Sequence, residues 1–148
     1  MPCSAVLPCP TEVEEDGCLL CVEDNPVNGL LLQEFFGRLM GLPVQVAATG
    51  ALGLALARAS RPMALLLDLM LPDMDGLDLL AKLRADPLTR DLPVVIVTGW
   101  LEPQQWAAAR ALGAVACWLK PLDFSRLGQL LQQALPQVAA RCTRPAGG

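Results

Sequence analysis

The segment MALLLDLMLPDMDGLDLL, residues 63–80, decides the fold. Its first five residues are continuously apolar, which is typical of a strand buried on both faces of a parallel sheet. That strand ends at Asp68, and the loop LPDMDG then leads into an apolar pattern with helical spacing that begins at Leu77. A buried strand, a short loop and a helix together predict one βα unit of an α/β domain.

The same unit recurs along the chain. Predicted strands cover residues 18–22, 43–48, 63–67, 94–97 and 114–119, and predicted helices cover residues 26–40, 51–59, 77–85, 103–112 and 124–135. Five alternating strands and helices predict a doubly wound, five-stranded parallel sheet with helices on both faces and right-handed crossovers.

The first helix has a clear start and a predicted buried face. Asn25 is placed to cap it and Pro26 to occupy its first position, where a missing N–H costs nothing. We expect the buried side to include the apolar residues Leu30, Leu31, Phe35 and Leu39.

The two ends of the chain carry no such pattern. Residues 1–16, with three prolines and an acidic run, are predicted to form a disordered tail, and residues 136–148 a flexible one. One domain over residues 17–135 is therefore expected, which suits a chain of 148 residues.

The composition excludes several function classes. A net charge of −4 disfavours nucleic-acid binding, which needs a basic face. No apolar stretch approaches the ~20 residues that span a bilayer, and the N-terminus lacks a signal peptide's basic region, so no membrane contact and a cytoplasmic location are expected. The chain has no histidine, which excludes Ser-His-Asp triads, Cys-His dyads and a phosphohistidine of its own.

Two cysteines, Cys18 and Cys21, form a C-x-x-C pattern within the first predicted strand. Redox pairs of this spacing lie at a turn into a helix, and a zinc site would need a second pair. We interpret them as buried structural thiols, with a metal or redox role as the alternative.

Polar side chains that could react or bind a ligand follow four of the five predicted strands. Glu23 and Asp24 follow the first strand, Asp68 the third, Thr98 the fourth and Lys120 the fifth. Each alone could be an ordinary solvated strand end. Because the carboxyl ends of parallel strands share one edge, where ligands bind in such sheets, we expect these residues to converge.

This set of residues is suited to phosphoryl chemistry on a carboxylate. Neighbouring carboxylates repel one another, so such a cluster either raises pKa values or recruits a cation. Mg²⁺ binds through one or two carboxylates while keeping waters and room for phosphate. A lysine and a hydroxyl can then bind phosphoryl oxygens, and an aspartate can attack phosphorus to give an acyl phosphate.

The segments VEDNPVN (22–28), LLLDLMLPDMDGLDLL (65–80), VVIVTG (94–99) and LKP (119–121) together resemble the receiver domains of two-component response regulators. The intervals agree as well, with 44 residues from Asp24 to Asp68, 30 to Thr98 and 22 to Lys120. The resemblance covers about residues 17–135. It implies a flavodoxin-like (βα)5 fold with strand order 2-1-3-4-5.

The resemblance also implies a role for each residue. Asp68 would be the phosphoacceptor, with Thr98 as the switch hydroxyl and Lys120 as its cationic partner. Asp24 and Asp68 would bind Mg²⁺ directly, Glu23 through water, and Met70 through its backbone carbonyl. Lys120 would precede Pro121 through a cis peptide bond.

From the family we expect a signalling domain that accepts a phosphoryl group, with slow self-dephosphorylation, and no other enzyme activity. The donor would be the phosphohistidine of a sensor histidine kinase or a histidine phosphotransfer protein. Residues 102–134 would form the surface for targets or for a homodimer. The alternative is a receiver-like docking module that is not phosphorylated.

The chain departs from the family pattern at three places. Cys117 takes the position of the usual switch aromatic, and strand alternation directs Trp118 to the other face, where we expect it to be packed. Met70 and Trp100 flank the family's path for attacking water, so the phosphoryl group is expected to persist longer than in relatives with small or polar residues there.

The acidic segment Asp73-Met74-Asp75-Gly76 has two further interpretations, as the nucleophile motif of aspartate phosphatases or as a calcium loop. The first is disfavoured because Asp68, not Asp73, closes the strand. The second fails because its first ligand position would be Leu71. We interpret Asp73 and Asp75 as loop acids, with Asp75 placed to cap the following helix.

Overall fold

Five parallel strands form a single sheet in the order β2-β1-β3-β4-β5 in the computed structural model, which describes residues 17–142. The strands are β1 (Leu19–Val22), β2 (Val44–Ala47), β3 (Ala64–Leu67), β4 (Val94–Thr98) and β5 (Ala116–Leu119). The helices are α1 (Pro26–Gln33, continued by a π-helix, Glu34–Leu39), α2 (Gly50–Ser60), α3 (Gly76–Ala85), α4 (Pro103–Ala111), α5 (Leu127–Ala134, preceded by a 3₁₀ turn, Phe124–Arg126) and α6 (Pro136–Cys142). The predicted fold class and strand order are confirmed.

Two apolar layers cover the faces of this sheet. On one face, side chains of α1, α5 and α6 pack on β1 and β4, with Phe36, Leu131 and Val138 fully buried. On the other face, α2, α3 and α4 pack through residues such as Ala57, Leu80 and Ala109. The central strands β1, β3 and β4 are buried along their whole length, which explains their continuous apolar runs.

Local capping positions the helices as the sequence predicts. Asn25 Oδ1 accepts the Val27 N–H at 2.9 Å at the start of α1, and Pro26 follows it. Asp75 Oδ1 accepts the Leu77 N–H at 2.8 Å at the start of α3. Gly113 ends α4 with a positive φ of 87°.

The predicted buried face of α1 is wrong for two of its four named residues. Leu30 and Leu31 are 62% and 47% exposed, whereas Leu32 and Phe36 are buried. The cause is the contact of Gly29 with β2, so close that an added Cβ would lie 2.9 Å from a methyl of Val46. Because of this contact, the side of the helix that carries residues 29, 32 and 36 faces the sheet. Of the other two residues predicted to be buried, Phe35 is half-buried, and the Leu39 side chain is not among those that the structure describes.

The predicted flexible tail from residue 136 is wrong for residues 136–142, which form α6. Leu135 and Val138 are fully buried and Ala139 nearly so, at the spacing of one helical face. A second short helix therefore extends the apolar layer beyond α5. The tail predicted for residues 1–16 and the remainder of the C-terminal one, residues 143–148, lie outside the described residues.

The C-x-x-C cysteines are buried, Cys21 within β1 and Cys18 directly before it. Burial is the main reason that the pKa of the Cys21 thiol is raised, and the charge of Glu23 raises it further. Residues three apart on an extended segment point to opposite faces. These observations support structural thiols. Within residues 17–142, no helix is both long and apolar enough to cross a bilayer.

Candidate functional site

The carboxyl ends of β1, β3 and β5 bring an acidic cluster and a lysine together. Glu23 and Asp24 follow β1 and Asp68 follows β3, and one carboxylate oxygen from each lies within 4.8 Å of the others. Lys120, directly after β5, extends its ammonium group to the same point.

Lys120 bridges the two buried carboxylates of this cluster. Its Nζ lies 2.6 Å from Glu23 Oε1 and 2.8 Å from Asp68 Oδ2. Glu23 and Asp68 are only 3% and 6% exposed, so the ion pairs are largely shielded from water. Burial lowers the pKa of Lys120, but hydrogen bonds and charges from Asp68 and Glu23 outweigh it and raise that pKa overall. The lysine is therefore held in its charged form.

Backbone groups hold the remaining oxygens of the two buried carboxylates. Asp68 Oδ1 accepts the Met70 N–H at 3.0 Å, and Glu23 Oε2 accepts the Asn25 N–H at 3.1 Å. Asp24 is exposed, and no hydrogen bond or ion pair within residues 17–142 engages its carboxylate. Two carboxylates are thus oriented by the fold, and the third is open to a ligand.

The chemistry of these donors fits a magnesium ion. Three carboxylates against one ammonium leave a formal excess of two negative charges at one edge of the sheet. Hard oxygen donors with an open, solvated side are what Mg²⁺ prefers when it also binds phosphate.

Thr98 ends β4 at the same edge and is completely buried. Its hydroxyl donates to the carbonyl oxygen of Trp100 at 3.3 Å. Met70 and Trp100, by contrast, are 73% and 68% exposed, and the Trp100 indole N–H donates to Glu102 at 2.9 Å. The two large side chains therefore stand in solvent near the ends of β3 and β4.

Cys117 and Trp118 lie on opposite faces of the sheet, as the sequence analysis predicts. Cys117 is half-buried among the apolar side chains on the face of α2, α3 and α4. Trp118 is only 4% exposed and packs on the opposite face. The Lys120–Pro121 peptide bond is cis.

Two features of this region were missed by the sequence analysis. Asp73 is more than a solvated loop acid, because hydrogen bonds from the Gly50 and Ala51 N–H groups lower the pKa of its carboxyl. Its partners are 22 and 23 residues away, so no local pattern could reveal them. In addition, a cleft of about 340 Å³ is lined by Leu31 of α1, Lys120 and Phe124. It was missed because Leu31 was predicted to be buried.

Residues 19–132 match the protein family described as response regulator receiver domain. Sporulation initiation phosphotransferase F of Bacillus subtilis is 29% identical over 118 residues, which cover 80% of this chain and 93% of that protein. The DNA-binding dual master transcriptional regulator RpaA of Synechocystis is 33% identical over 127 residues, which cover 82% of this chain and 52% of that protein. The chain thus spans nearly all of the first relative and about half of the second.

Solved structures show the same fold. A receiver domain from Methanospirillum hungatei superimposes with a TM-score of 0.73 at 27% identity, covering 84% of this chain and 97% of that one. The receiver domain of a sensor histidine kinase from Pseudomonas aeruginosa gives 0.71 at 28% identity, covering 81% and 98%. That structure has a magnesium ion coordinated in its active site cleft.

Proposed function

The chain belongs to the family of response regulator receiver domains, and from that premise we propose that Asp68 is the residue that accepts the phosphoryl group. As a receiver domain of two-component signalling, it is a phosphoryl-accepting module. The observation that carries the assignment to Asp68 is the position of its carboxylate, buried beside Asp24 and paired with Lys120 at 2.8 Å.

In the proposed reaction, a carboxylate oxygen of Asp68 attacks the phosphorus of a phosphohistidine on a partner protein. The new bond joins this oxygen to phosphorus, while the bond from phosphorus to the imidazole nitrogen breaks. Lys120 pairs with the Asp68 carboxylate before transfer and with a phosphoryl oxygen afterwards. These 148 residues contain no histidine, so the donor histidine lies outside them.

Receiver domains bind Mg²⁺ in an acidic pocket. Here we assign the ion to the carboxylates of Asp24 and Asp68, the Met70 carbonyl and, through water, Glu23. When bound, magnesium neutralises charge that develops on the phosphoryl oxygens. The open carboxylate of Asp24 supports this assignment because a cation would satisfy it.

We assign the switch to Thr98. A phosphoryl group on Asp68 offers the Thr98 hydroxyl a charged acceptor in place of the Trp100 carbonyl, and charge-assisted hydrogen bonds are the stronger kind. Loss of the bond to Trp100 would release the loop that leads into α4. The signal would then reach residues 102–134, where we propose that targets or a second copy of the chain bind.

Receiver domains interact with histidine kinases or phosphotransfer proteins. We propose one of these as the donor for this chain, in the cytoplasm, and protein rather than nucleic acid as the target. The net charge of −4 supports the last point. We further propose that its chemistry ends with acceptance and slow self-dephosphorylation, without a separate substrate.

The test is phosphorylation by a small donor. The chain is incubated with phosphoramidate or acetyl phosphate and Mg²⁺, and its intact mass is measured. A gain of one phosphoryl group is expected, and Asp68→Ala should abolish it. Asp78→Ala, which removes an exposed acid of α3, is the matched control and should be phosphorylated normally. No gain in the unmodified chain would contradict the proposal and favour a docking module.

A further inference from the structure

The loop between Asp68 and α3 is attached at its tip to a different part of the fold. Asp73 in this loop uses both carboxylate oxygens, accepting the Gly50 N–H at 2.8 Å and the Ala51 N–H at 2.9 Å. These N–H groups open α2, where the first turn has no partners within its own helix. Among the hydrogen bonds described for residues 69–75, these two alone reach outside the β3–α3 unit.

The base of the same loop is closed by its own backbone. Met70 forms an antiparallel bridge with Asp75, and the Gly76 N–H donates to the Leu69 carbonyl at 2.8 Å. An added Cβ at Gly76 would lie 2.6 Å from the Asp68 carbonyl oxygen, so the backbone segments touch. The base is joined to β1 where the Asp68 N–H donates to the Val22 carbonyl at 3.1 Å, but none of these contacts holds the tip of the loop, which reaches the rest of the fold through Asp73.

The tip of the loop is positioned by α2, which packs tightly on β1. An added Cβ at Gly53 would lie 2.6 Å from a methyl of Val22, the residue that precedes the acidic pair Glu23 and Asp24. At its first turn, Gly50 lies equally close to the side chain of Met74 in the loop. Helix α2 therefore contacts both halves of the acidic site, β1 along its length and the Asp68 loop at its start.

We propose that Asp73 is a positioning residue that, through α2, holds the Met70 carbonyl at its distance from Glu23 and Asp24 and so sets the affinity for magnesium. The inference rests on the proposed function, in which these groups surround the ion. Asp73 itself does not bind the metal. Removing groups that orient metal ligands typically weakens metal binding by about 10- to 100-fold.

The first experiment measures magnesium binding by the full chain with Asp73→Ala and Asp73→Asn, by calorimetry and by tryptophan fluorescence. Asp73→Ala is expected to raise the Kd for Mg²⁺ about tenfold. Asp73→Asn keeps one acceptor oxygen, so its effect should be smaller. At saturating Mg²⁺ both variants should reach the wild-type extent of phosphorylation by phosphoramidate, because Asp68 and Lys120 are unchanged.

A second variant separates the anchor from the charge of Asp73. Ala51→Pro removes the N–H that binds Asp73 Oδ2 without changing any charge, and proline is tolerated in a helix's first turn. It is expected to raise the Kd about threefold, between wild type and Asp73→Ala. Combined with Asp73→Ala it should add little, because both changes break the same contact.

A matched control acts at the other end of the sheet. Asp86 accepts the Leu88 N–H at 2.9 Å and pairs with Arg58 at 2.8 Å, just after α3 ends. Asp86→Ala also removes a loop carboxylate that binds backbone, so it should lower stability without changing the Kd for Mg²⁺.

The outcomes are distinct. A Kd within about twofold of wild type for Asp73→Ala overturns the inference, since orienting groups normally matter more. Weaker binding in the Asp73 variants with no change in Ala51→Pro assigns the effect to charge alone and also overturns it. If the unmodified chain binds no magnesium, the proposed function fails and the inference fails with it; if it binds and the variants bind equally well, only the inference fails.

Discussion

Replacing Lys120 with methionine is expected to destabilise the protein without magnesium and to strengthen its magnesium binding. The ammonium lies 2.6 Å from a Glu23 oxygen and 2.8 Å from an Asp68 oxygen. Removing one partner of a buried ion pair costs about 3–5 kcal/mol. The lysine side chain is 22% exposed, and screening by water reduces the expected loss to about 2 kcal/mol.

Magnesium should compensate for this loss. The ammonium and the metal ion compete for the same carboxylates, and unit charges 4 Å apart interact by ~4 kcal/mol at an effective dielectric near 20. Even a third of that energy corresponds to about tenfold tighter binding. At a concentration 100 times its Kd, Mg²⁺ stabilises the folded state by about 2.7 kcal/mol, enough to offset the missing lysine.

The assay is urea unfolding followed by tryptophan fluorescence, to which the buried Trp118 contributes, with and without Mg²⁺. The control is Lys82→Met, which removes the chain's other lysine, exposed on α3. The reasoning would be refuted if Lys120→Met unfolded at the wild-type urea concentration without Mg²⁺, or if Mg²⁺ did not raise its midpoint more than that of the wild type.

The pH dependence has a defined sign. The pKa of Lys120 is raised by folding, so its stabilisation is complete below the ordinary lysine pKa of 10.5 and is lost as pH rises through the higher folded value. The difference in unfolding free energy between wild type and Lys120→Met should therefore be constant from neutral pH to about pH 10 and should decrease only in more alkaline solution.

Three further predictions follow from individual side chains. The double variant Met70→Asn, Trp100→Glu should lose its phosphoryl group faster than wild type, because large apolar groups near the site hinder water; an unchanged decay of the phosphorylated mass would contradict this. The Arg84 guanidinium donates to five backbone carbonyls at 2.6–3.5 Å in the α3–β4 and α4–β5 connections. Arg84→Lys should therefore lower the unfolding free energy, measured in urea, by about 2–3 kcal/mol. The control, Arg38→Lys, should leave it unchanged. Val138→Asp should lower it by about 3 kcal/mol because it places a charge at a fully buried position; an unchanged urea midpoint would mean that α6 does not pack on the domain.

Much of the candidate site follows from where residues stand relative to strands. Glu23, Asp68 and Lys120 each come directly after a strand, Asp24 follows Glu23, and parallel strands end at one edge of the sheet. Residues that follow different strands in the sequence therefore lie close together in the fold. The ion pairs of Lys120 do not follow from this rule, because they depend on how far a flexible side chain reaches and on which oxygens are free.

The sequence predictions were wrong for the buried face of α1 and for residues 136–142, where the pattern of apolar residues is compatible with more than one structure. The apolar residues of α1 at positions 30, 31, 32, 35 and 36 are compatible with more than one buried face, and the close packing of Gly29 on Val46 selects among them. Residues 136–142 are too short to show a helical repeat clearly. They become helical because Leu135 and Val138 find an apolar layer to cover.

The amino-acid sequence alone determined the α/β architecture, the family and the edge at which acidic groups gather, because alternating apolar runs and strand-end residues are local properties of the chain. Only the tertiary structure decided which face of α1 is buried, that residues 136–142 form a helix, and that Asp73 reaches the start of α2. These features depend on contacts between segments far apart in sequence, whose geometry is set by packing.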